Sequence, residues 1–138
     1  MNKQYIFELK MSVRDYECDL QGIVNNANYL HYMEHTRHQF LLSEGVSFIQ
    51  LHEEGTDCVV ARMNIAYKTP LRSDDEFVSC INLCKEGVRY VFYQDIYKLP
   101  EYRLVIKAQV DVVCLQNGRL SECELLNERF GKYWEAEK

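Results

Sequence analysis

The segment Asp19-Leu-Gln-Gly22-Ile-Val-Asn25-Asn26-Ala-Asn-Tyr29-Leu-His-Tyr32-Met-Glu34 carries most of the chemistry in this 138-residue chain. A carboxylate stands in turn-forming sequence, a glycine follows three residues on, and two asparagines lead into a helical pattern. That spacing aims an acid at a helix N-terminus, where unpaired N–H groups and the positive end of the dipole hold a developing oxyanion. The arrangement suits an acyl group attacked by the carboxylate, or by water that the carboxylate deprotonates. Asp19 is therefore the candidate for attack, and the backbone N–H of Asn26 the candidate for polarising the carbonyl. Gly22 permits close backbone approach or a positive φ beside the acid. Glu34 stands two turns into the helix, in reach of His38 four residues on or of the loop that carries Asp19, and is expected to support the site. A plainer reading has Asp19 only fastening its own turn. Asn25 and Asn26 serve either as cap and loop residues or as substrate contacts. Cys18, extended beside Asp19, points to the opposite side and is read as packing.

His31, His35 and His38 share a helix face at spacings that can hold a transition metal. They lie opposite the stripe of Tyr29, Met33, Thr36 and Phe40, and the first histidine lacks the adjacent glutamate of metalloproteases. A solvated or interface stripe is the expectation, with no metal.

The elements that must position these residues follow from periodicity. Residues 5–14 alternate as a half-buried strand with Tyr5, Phe7, Leu9 and Met11 on one parity. A loop runs to about Asn26, and Asn26 or Asn28 is expected to cap a helix that ends near Ser43, with Gly45 as the stop. From Asp57 the period becomes two, with Val59, Ala61, Met63, Ile65 and Tyr67 on one face. Lys68 to Asp75 contains Pro70 and reads as a turn. Strands are expected over 77–84, 88–98 and 103–116, the last with Leu104, Ile106, Ala108, Val110, Val112 and Cys114 facing inward. Asn117-Gly118 is a hairpin signal, and 125–137 has the pattern of a short amphipathic helix. One long helix followed by a meander of strands makes the chain α+β, with the sheet wrapped around the helix. Long strands leave edges, so a homodimer at least is expected.

Bulk composition narrows the class. The length fits one domain over 1–138. The net charge of -5 argues against a nucleic-acid binder, although 16 Lys and Arg leave room for a local cluster that holds an anionic small ligand. The N-terminus lacks an apolar run behind a basic stretch, so no signal peptide is expected. No window approaches a membrane span. The six cysteines form no C-x-x-C pair and mostly fall inside strand patterns, as reduced thiols in a cytoplasmic protein do.

At this point Asp19-x-x-Gly22-x-Val24-Asn-Asn-x-x-Tyr29-x-x-Tyr32-x-Glu34 resembles the signature of hot-dog-fold acyl-CoA thioesterases of the 4-hydroxybenzoyl-CoA thioesterase type. Tyr67-x-x-Pro70-Leu71-x-x-x-Asp75 and the three long strands add to the resemblance, which spans roughly residues 5 to 120. It implies a long central helix wrapped by a five- to six-stranded antiparallel sheet, dimers often paired into tetramers, and active sites at the subunit interface. It also implies hydrolysis of an acyl-CoA, or an acyl-carrier-protein thioester, with Asp19 as nucleophile or general base. Coenzyme A enters as part of the substrate, and no separate cofactor is expected. Many members carry His where Ile23 or Asn26 stands here, which sets this chain apart from a histidine-assisted variant.

The chemistry is consistent with that assignment. A thioester is more electrophilic than an oxygen ester, and a thiol of pKa about 8.5 leaves with little protonation, so no Ser-His-Asp triad is needed. Arg89, at a strand start after Gly87, is the first candidate for the coenzyme phosphates by its place in the family pattern. Lys68, Arg72 and Lys98 follow. Tyr29, Tyr32, Tyr67, Tyr90 and Phe92 can line an acyl or aromatic pocket. A hot-dog dehydratase or hydratase is a rival, although no His lies in the Asp19 loop. A non-catalytic acyl-thioester binding module is another.

Overall fold

The computed structural model describes residues 4–135. Strand β1 (Phe7–Ser12) leads through a 3-10 turn (Asp15–Glu17) and a short loop into helix α1 (Asn26–Ser43). Helix α2 (Phe48–Glu53) follows, then β2 (Thr56–Tyr67), β3 (Glu76–Glu86), β4 (Arg89–Lys98), β5 (Arg103–Gln116), β6 (Arg119–Ser121) and α3 (Glu124–Glu135). The sheet is antiparallel in the order β1-β3-β4-β5-β2, with β6 paired to the end of β5. It curls around α1, giving the hot-dog arrangement.

The helix is held by its buried stripe. Tyr29, Tyr32 and Met33 pack with Phe77, Ile96 and Ile106, while Phe40 and Leu41 pack with Ile81, Phe92 and Phe130. Each large side chain removed from water contributes about 1.5–3 kcal/mol. Between these two apolar groups runs a polar seam. The Thr36 hydroxyl lies 2.7 Å from both the Tyr32 carbonyl and the Ser79 hydroxyl. Arg37 Nη1 donates to Gln94 Oε1 at 2.9 Å, and Gln94 Nε2 donates to the Met33 carbonyl at 3.1 Å. Buried polar groups are tolerable here because each finds a partner.

Several elements depart from the sequence expectation. Helix α2 was not foreseen: at six residues it is too short to display a 3.6-residue period, and Ser47 caps it by accepting the Gln50 N–H at 3.3 Å. Strand β2 alternates only in part, because a bulge between Val60 and Arg62 shifts the register. Cys58 and Val60 therefore share the inner face with Met63 and Ile65, opposite Cys114, Val112, Val110 and Ala108. Val59 and Ala61 fall on the other side. A bulge adds one residue and reverses the parity beyond it, which no count of alternating residues reveals. Tyr90 belongs to the core rather than to a substrate pocket. Its hydroxyl donates to Asn127 Oδ1 at 2.6 Å and accepts the Cys123 N–H at 3.1 Å, latching α3 to the sheet. The end of the helix expected over 125–137 lies outside the described residues.

Tyr90→Phe leaves the Cys123 N–H buried without its acceptor. It is expected to cost about 2 kcal/mol in urea unfolding, with the denaturant slope unchanged.

Candidate active site

Residues 18–24 form a miniature hairpin rather than a loose loop. Cys18 bridges Val24, and Ile23 bridges Arg72. The Asp19 N–H donates to the Ile23 carbonyl at 2.9 Å, and the Gly22 N–H to the Asp19 carbonyl at 3.0 Å. Gly22 has φ +79 and open space where a Cβ would stand, so the turn demands glycine for its backbone angle and not for room. Asp19 Oδ1 accepts the Gln21 N–H at 2.8 Å, the local fastening that aspartate provides in turns. Oδ2 has no protein hydrogen-bond partner among the described residues. One oxygen orients the carboxylate and the other faces solvent.

The helix start offers the complementary group. Asn25 is the cap, with φ -61 and ψ 136, and its Oδ1 accepts the Ala27 N–H at 2.9 Å. The cap thus falls one residue before Asn26 and three before Asn28, the two residues expected to supply it. The Asn28 N–H bonds the Asn25 carbonyl at 2.8 Å. That leaves the Asn26 N–H, the first of the helix, without a protein acceptor among the described residues. An unpaired first-turn N–H at the positive end of an 18-residue helix is a ready donor to negative charge.

Two further contacts fix the walls. The Tyr29 hydroxyl accepts the Leu71 N–H at 3.0 Å, and the Val24 N–H bonds the Leu71 carbonyl at 2.8 Å, so the turn after β2 is tied to both helix and hairpin. Burial pushes the Tyr29 hydroxyl above its ordinary pKa. Tyr67 stands edge-on to Tyr29 with ring centroids 5.7 Å apart. Asp19, Asn25, Asn26, Tyr29, Tyr67 and Lys68 all line one cleft of about 520 Å³.

Other candidates lie elsewhere. Glu34 faces a second groove, 4.0 Å from His38 Nε2, and makes no bond to the Asp19 loop among the described residues. Arg89, at the start of β4, does not line the cleft, and its Nη1 binds the buried Asp111 at 3.0 Å. Lys98 pairs with Asp75 at 3.5 Å, and Arg72 sits at the hairpin bridge. His31, His35 and His38 are exposed; no three metal-ligating side chains cluster among the described residues.

The residue that sequence reading missed is Glu17. Its carboxylate is almost fully buried and accepts from the Arg14 N–H at 2.8 Å, Arg14 Nη1 at 3.1 Å and the Tyr32 hydroxyl at 2.8 Å. Its carbonyl accepts the Asn25 N–H at 2.9 Å and Asn28 Nδ2 at 2.8 Å. Glu17 thereby joins the loop to the first two turns of α1. Burial first, and the Glu17 carboxylate second, push the Tyr32 hydroxyl well above the usual tyrosine range. The Arg14-x-x-Glu17 spacing was the available signal.

With the fold and cleft described, comparison with known proteins places the chain. The thioesterase-like superfamily profile matches residues 13–128. Two chloroplastic acyl-acyl carrier protein thioesterases of Arabidopsis thaliana are 37% and 33% identical over 115 and 111 residues, each match covering 80% of this chain. The matches cover 59% and 58% of those relatives, so the chain spans somewhat over half their length. A crystal structure of a hypothetical protein from Aquifex aeolicus superposes with a TM-score of 0.83 at 30% identity, over 89% of this chain and 98% of that one. The chain belongs to the thioesterase-like superfamily and has the hot-dog fold.

Glu17→Ala is expected to cost about 2–3 kcal/mol, since it leaves the buried Tyr32 hydroxyl and the Arg14 N–H without their acceptor. Tyr32→Phe, which removes one donor and leaves the Arg14 pair, is expected to cost about 1–2 kcal/mol. In a double-mutant cycle the two losses should be strongly non-additive; simple addition would show that the side chains do not act as one unit.

Proposed function

We propose that the chain hydrolyses acyl thioesters of coenzyme A or of an acyl-carrier protein, with Asp19 as the attacking group. The observation that carries this reading is the convergence of two incomplete groups on one cleft. Asp19 has an oxygen without a protein partner, and Asn26 has an N–H without one. A thioester carbonyl placed between them meets a nucleophile or general base on one side and a hydrogen-bond donor on the other. One well-aimed donor supplies about 2.7–4 kcal/mol of transition-state stabilisation. The thiolate leaves without an acid, so the cleft needs no histidine.

Substrate contacts divide by chemistry. Tyr29 and Tyr67 offer the apolar wall for the acyl group, and Lys68 offers a cation at the rim for a phosphate of coenzyme A or of the carrier's prosthetic arm. The acyl-carrier-protein specificity named for the Arabidopsis relatives, at 33% and 37% identity, supports including carrier-bound thioesters. Arg89 contributes to phosphate binding only through an assembly that brings it to another protomer's cleft. Glu34 is assigned no part in attack.

The assembly we propose is a homodimer built on β2, and a pair of such dimers as the tetramer. Strand β2 is a 12-residue edge with Val59, Val60 and Tyr67 each 40% or more exposed. An edge of that length and composition is stable when paired. Tyr67 and Lys68 stand at its end, so pairing there brings a second chain to the cleft. The six free cysteines favour a reducing compartment such as the cytoplasm, and among the described residues no helix is long and apolar enough to cross a membrane.

Release of free thiol from a panel of acyl-CoA and acyl-carrier-protein thioesters tests the reaction. Asp19→Asn is a clean probe, because an asparagine oxygen still accepts the Gln21 N–H and preserves the turn. Its kcat/KM is expected to fall by roughly a thousandfold or more. Equal rates for the two proteins would remove Asp19 from the mechanism, and saturable binding without turnover would leave a binding module. Sedimentation equilibrium should give a mass at least twice 16.4 kDa. Val59→Lys is expected to shift that mass toward the monomer and to lower kcat/KM at least about tenfold.

A further inference from the structure

Strand β5 carries a cysteine between two others. In the register of the sheet Cys114 stands opposite Cys58 of β2 on one edge and opposite Ser121 of β6 on the other, two residues before Cys123. The Cys58 and Cys114 sulfurs are 3.4 Å apart, and the Cys114 and Cys123 thiols are hydrogen-bonded to each other. All three are free. Facing residues of an antiparallel pair hold their Cα atoms about 4.5–5.5 Å apart, inside the roughly 4.4–6.8 Å that a disulfide spans. With the two sulfurs already in contact, Cys58 and Cys114 can be joined without moving either strand.

Cys123 differs from the other two in what surrounds its sulfur. It immediately precedes α3, and its carbonyl accepts the Asn127 N–H at 3.0 Å, the first bond of that helix. It thus holds the cap position, and its sulfur accepts from the Leu125 and Leu126 N–H groups, as a capping side chain does. A neutral thiol is a weak acceptor for that role. A thiolate is a strong one, and the positive end of a helix favours it. The Cys114 thiol first, and the two backbone N–H groups after burial, lower the Cys123 pKa on balance, with Glu124 opposing them. The bonds to Cys123 and then to Cys58 push Cys114 up, and burial pushes Cys80 up to about 12. Cys123 also lines a cavity of about 620 Å³ with Gln116, Glu122 and Asn127. Strands β5 and β2 stand between it and the edge at which a second protomer is proposed to pair.

We propose that these three thiols form an oxidation relay for hydroperoxides, entered at Cys123 and ending in a Cys58–Cys114 disulfide. The Cys123 thiolate attacks the peroxide: an S–O bond forms, the O–O bond breaks, and hydroxide or an alkoxide leaves and takes a proton from water. The product is a sulfenic acid. The Cys114 sulfur displaces its hydroxyl, which departs as water with the Cys114 proton, and a Cys114–Cys123 disulfide results. Cys58 then attacks the Cys114 sulfur, loses its proton to solvent, and expels Cys123 as the thiolate. Exchange runs in this direction because the thiol of lower pKa is the better leaving group. Cys123 returns to its cap, one peroxide has been reduced, and Cys58 and Cys114 have supplied the two electrons. The final bond ties edge strand β2 to β5 two residues before the bulge that begins at Val60.

The test treats the reduced protein with hydrogen peroxide under native conditions, counts thiols in denaturant and maps disulfides by mass spectrometry. The expected result is loss of two of the six thiols and a linked Cys58–Cys114 peptide, both reversed by dithiothreitol. The intact chain should be about 2 Da lighter, the two hydrogens lost to one S–S bond. Cys123→Ser keeps a capping side chain, so the fold is retained, and oxidation is expected to slow at least about tenfold. Cys58→Ala should stop at the Cys114–Cys123 disulfide, and Cys114→Ala should leave a Cys123 sulfenic acid that dimedone traps. Retention of all six thiols, or oxidation of Cys18, Cys80 or Cys84 ahead of these three, overturns the proposal. An unchanged rate in Cys123→Ser overturns Cys123 as the point of entry. A wild-type end product linking Cys114 to Cys123 overturns the exchange step. None of these readouts depends on thioester hydrolysis.

Discussion

The buried carboxylate of Glu17 is the constraint on which the rest of the cleft depends. A turn as short as Asp19–Gly22 has no core of its own, and its position relative to the helix must be imposed from outside. Glu17 imposes it in two directions. Its side chain takes the Arg14 and Tyr32 donors, and its carbonyl takes the Asn25 and Asn28 donors. Tyr32 is anchored by the apolar cluster that holds α1 to the sheet, so loop, helix and sheet share one reference point. Asp19 is thereby held on a rigid base although it is itself exposed. The attack proposed for Asp19 needs that rigidity, because a misplacement of about 1 Å at a reacting centre can cost a hundredfold in rate.

The same helix serves two purposes at its two ends of contact. Its first turn presents a free N–H, and that turn is capped by a side chain that leaves this donor open. Asn25 satisfies Ala27 and, through its carbonyl, Asn28, so the capping that stabilises the helix does not consume the Asn26 N–H. Three turns later the helix carries Thr36 and Arg37 across the sheet on a polar seam. Polar pairs at that crossing fix the rotation of the helix about its axis more sharply than apolar packing alone, since a rotated helix would strand Gln94 and Ser79 without partners.

What was legible in the sequence follows the range of the interactions involved. The Asp19 turn, the helix and the five long strands rest on local patterns: a carboxylate and glycine in register, a 3.6-residue stripe, alternation, and Asn117-Gly118, both of which adopt positive φ. The cleft residues Asp19, Asn25 and Asn26 were named from the same signals, and Tyr29, Tyr67 and Lys68 as contacts for the substrate that the family resemblance implies; all six line one cleft. Glu17 was missed because its meaning depends on Tyr32, 15 residues away, and its Arg14 spacing is common in solvated turns. The inner face of β2 was misread at Val59 and Ala61 because one inserted residue cannot be seen by counting. Arg89 was placed by analogy with a family pattern, and the buried Asp111 that engages it lies 22 residues further on. Glu34 was drawn toward the Asp19 loop by its position in the motif, yet two helical turns carry it about 12 Å along the axis from Asn26 and into the second groove.

That displacement of Glu34 bears on how little machinery the cleft contains. A serine hydrolase needs a base, an orienting acid and an oxyanion pocket because its nucleophile is weak and its leaving group poor. In the proposed reaction a carboxylate attacks or deprotonates the attacking water and the leaving group is a thiolate, so the two tasks that remain are placement and stabilisation of the carbonyl oxygen. A hairpin of seven residues fastened by Glu17 performs the first. The N-terminus of α1 performs the second, with a backbone group whose position is set by the helix rather than by a rotamer. With both tasks assigned on this proposal to the main chain and one carboxylate, the remaining side chains of the cleft are left to hold the substrate.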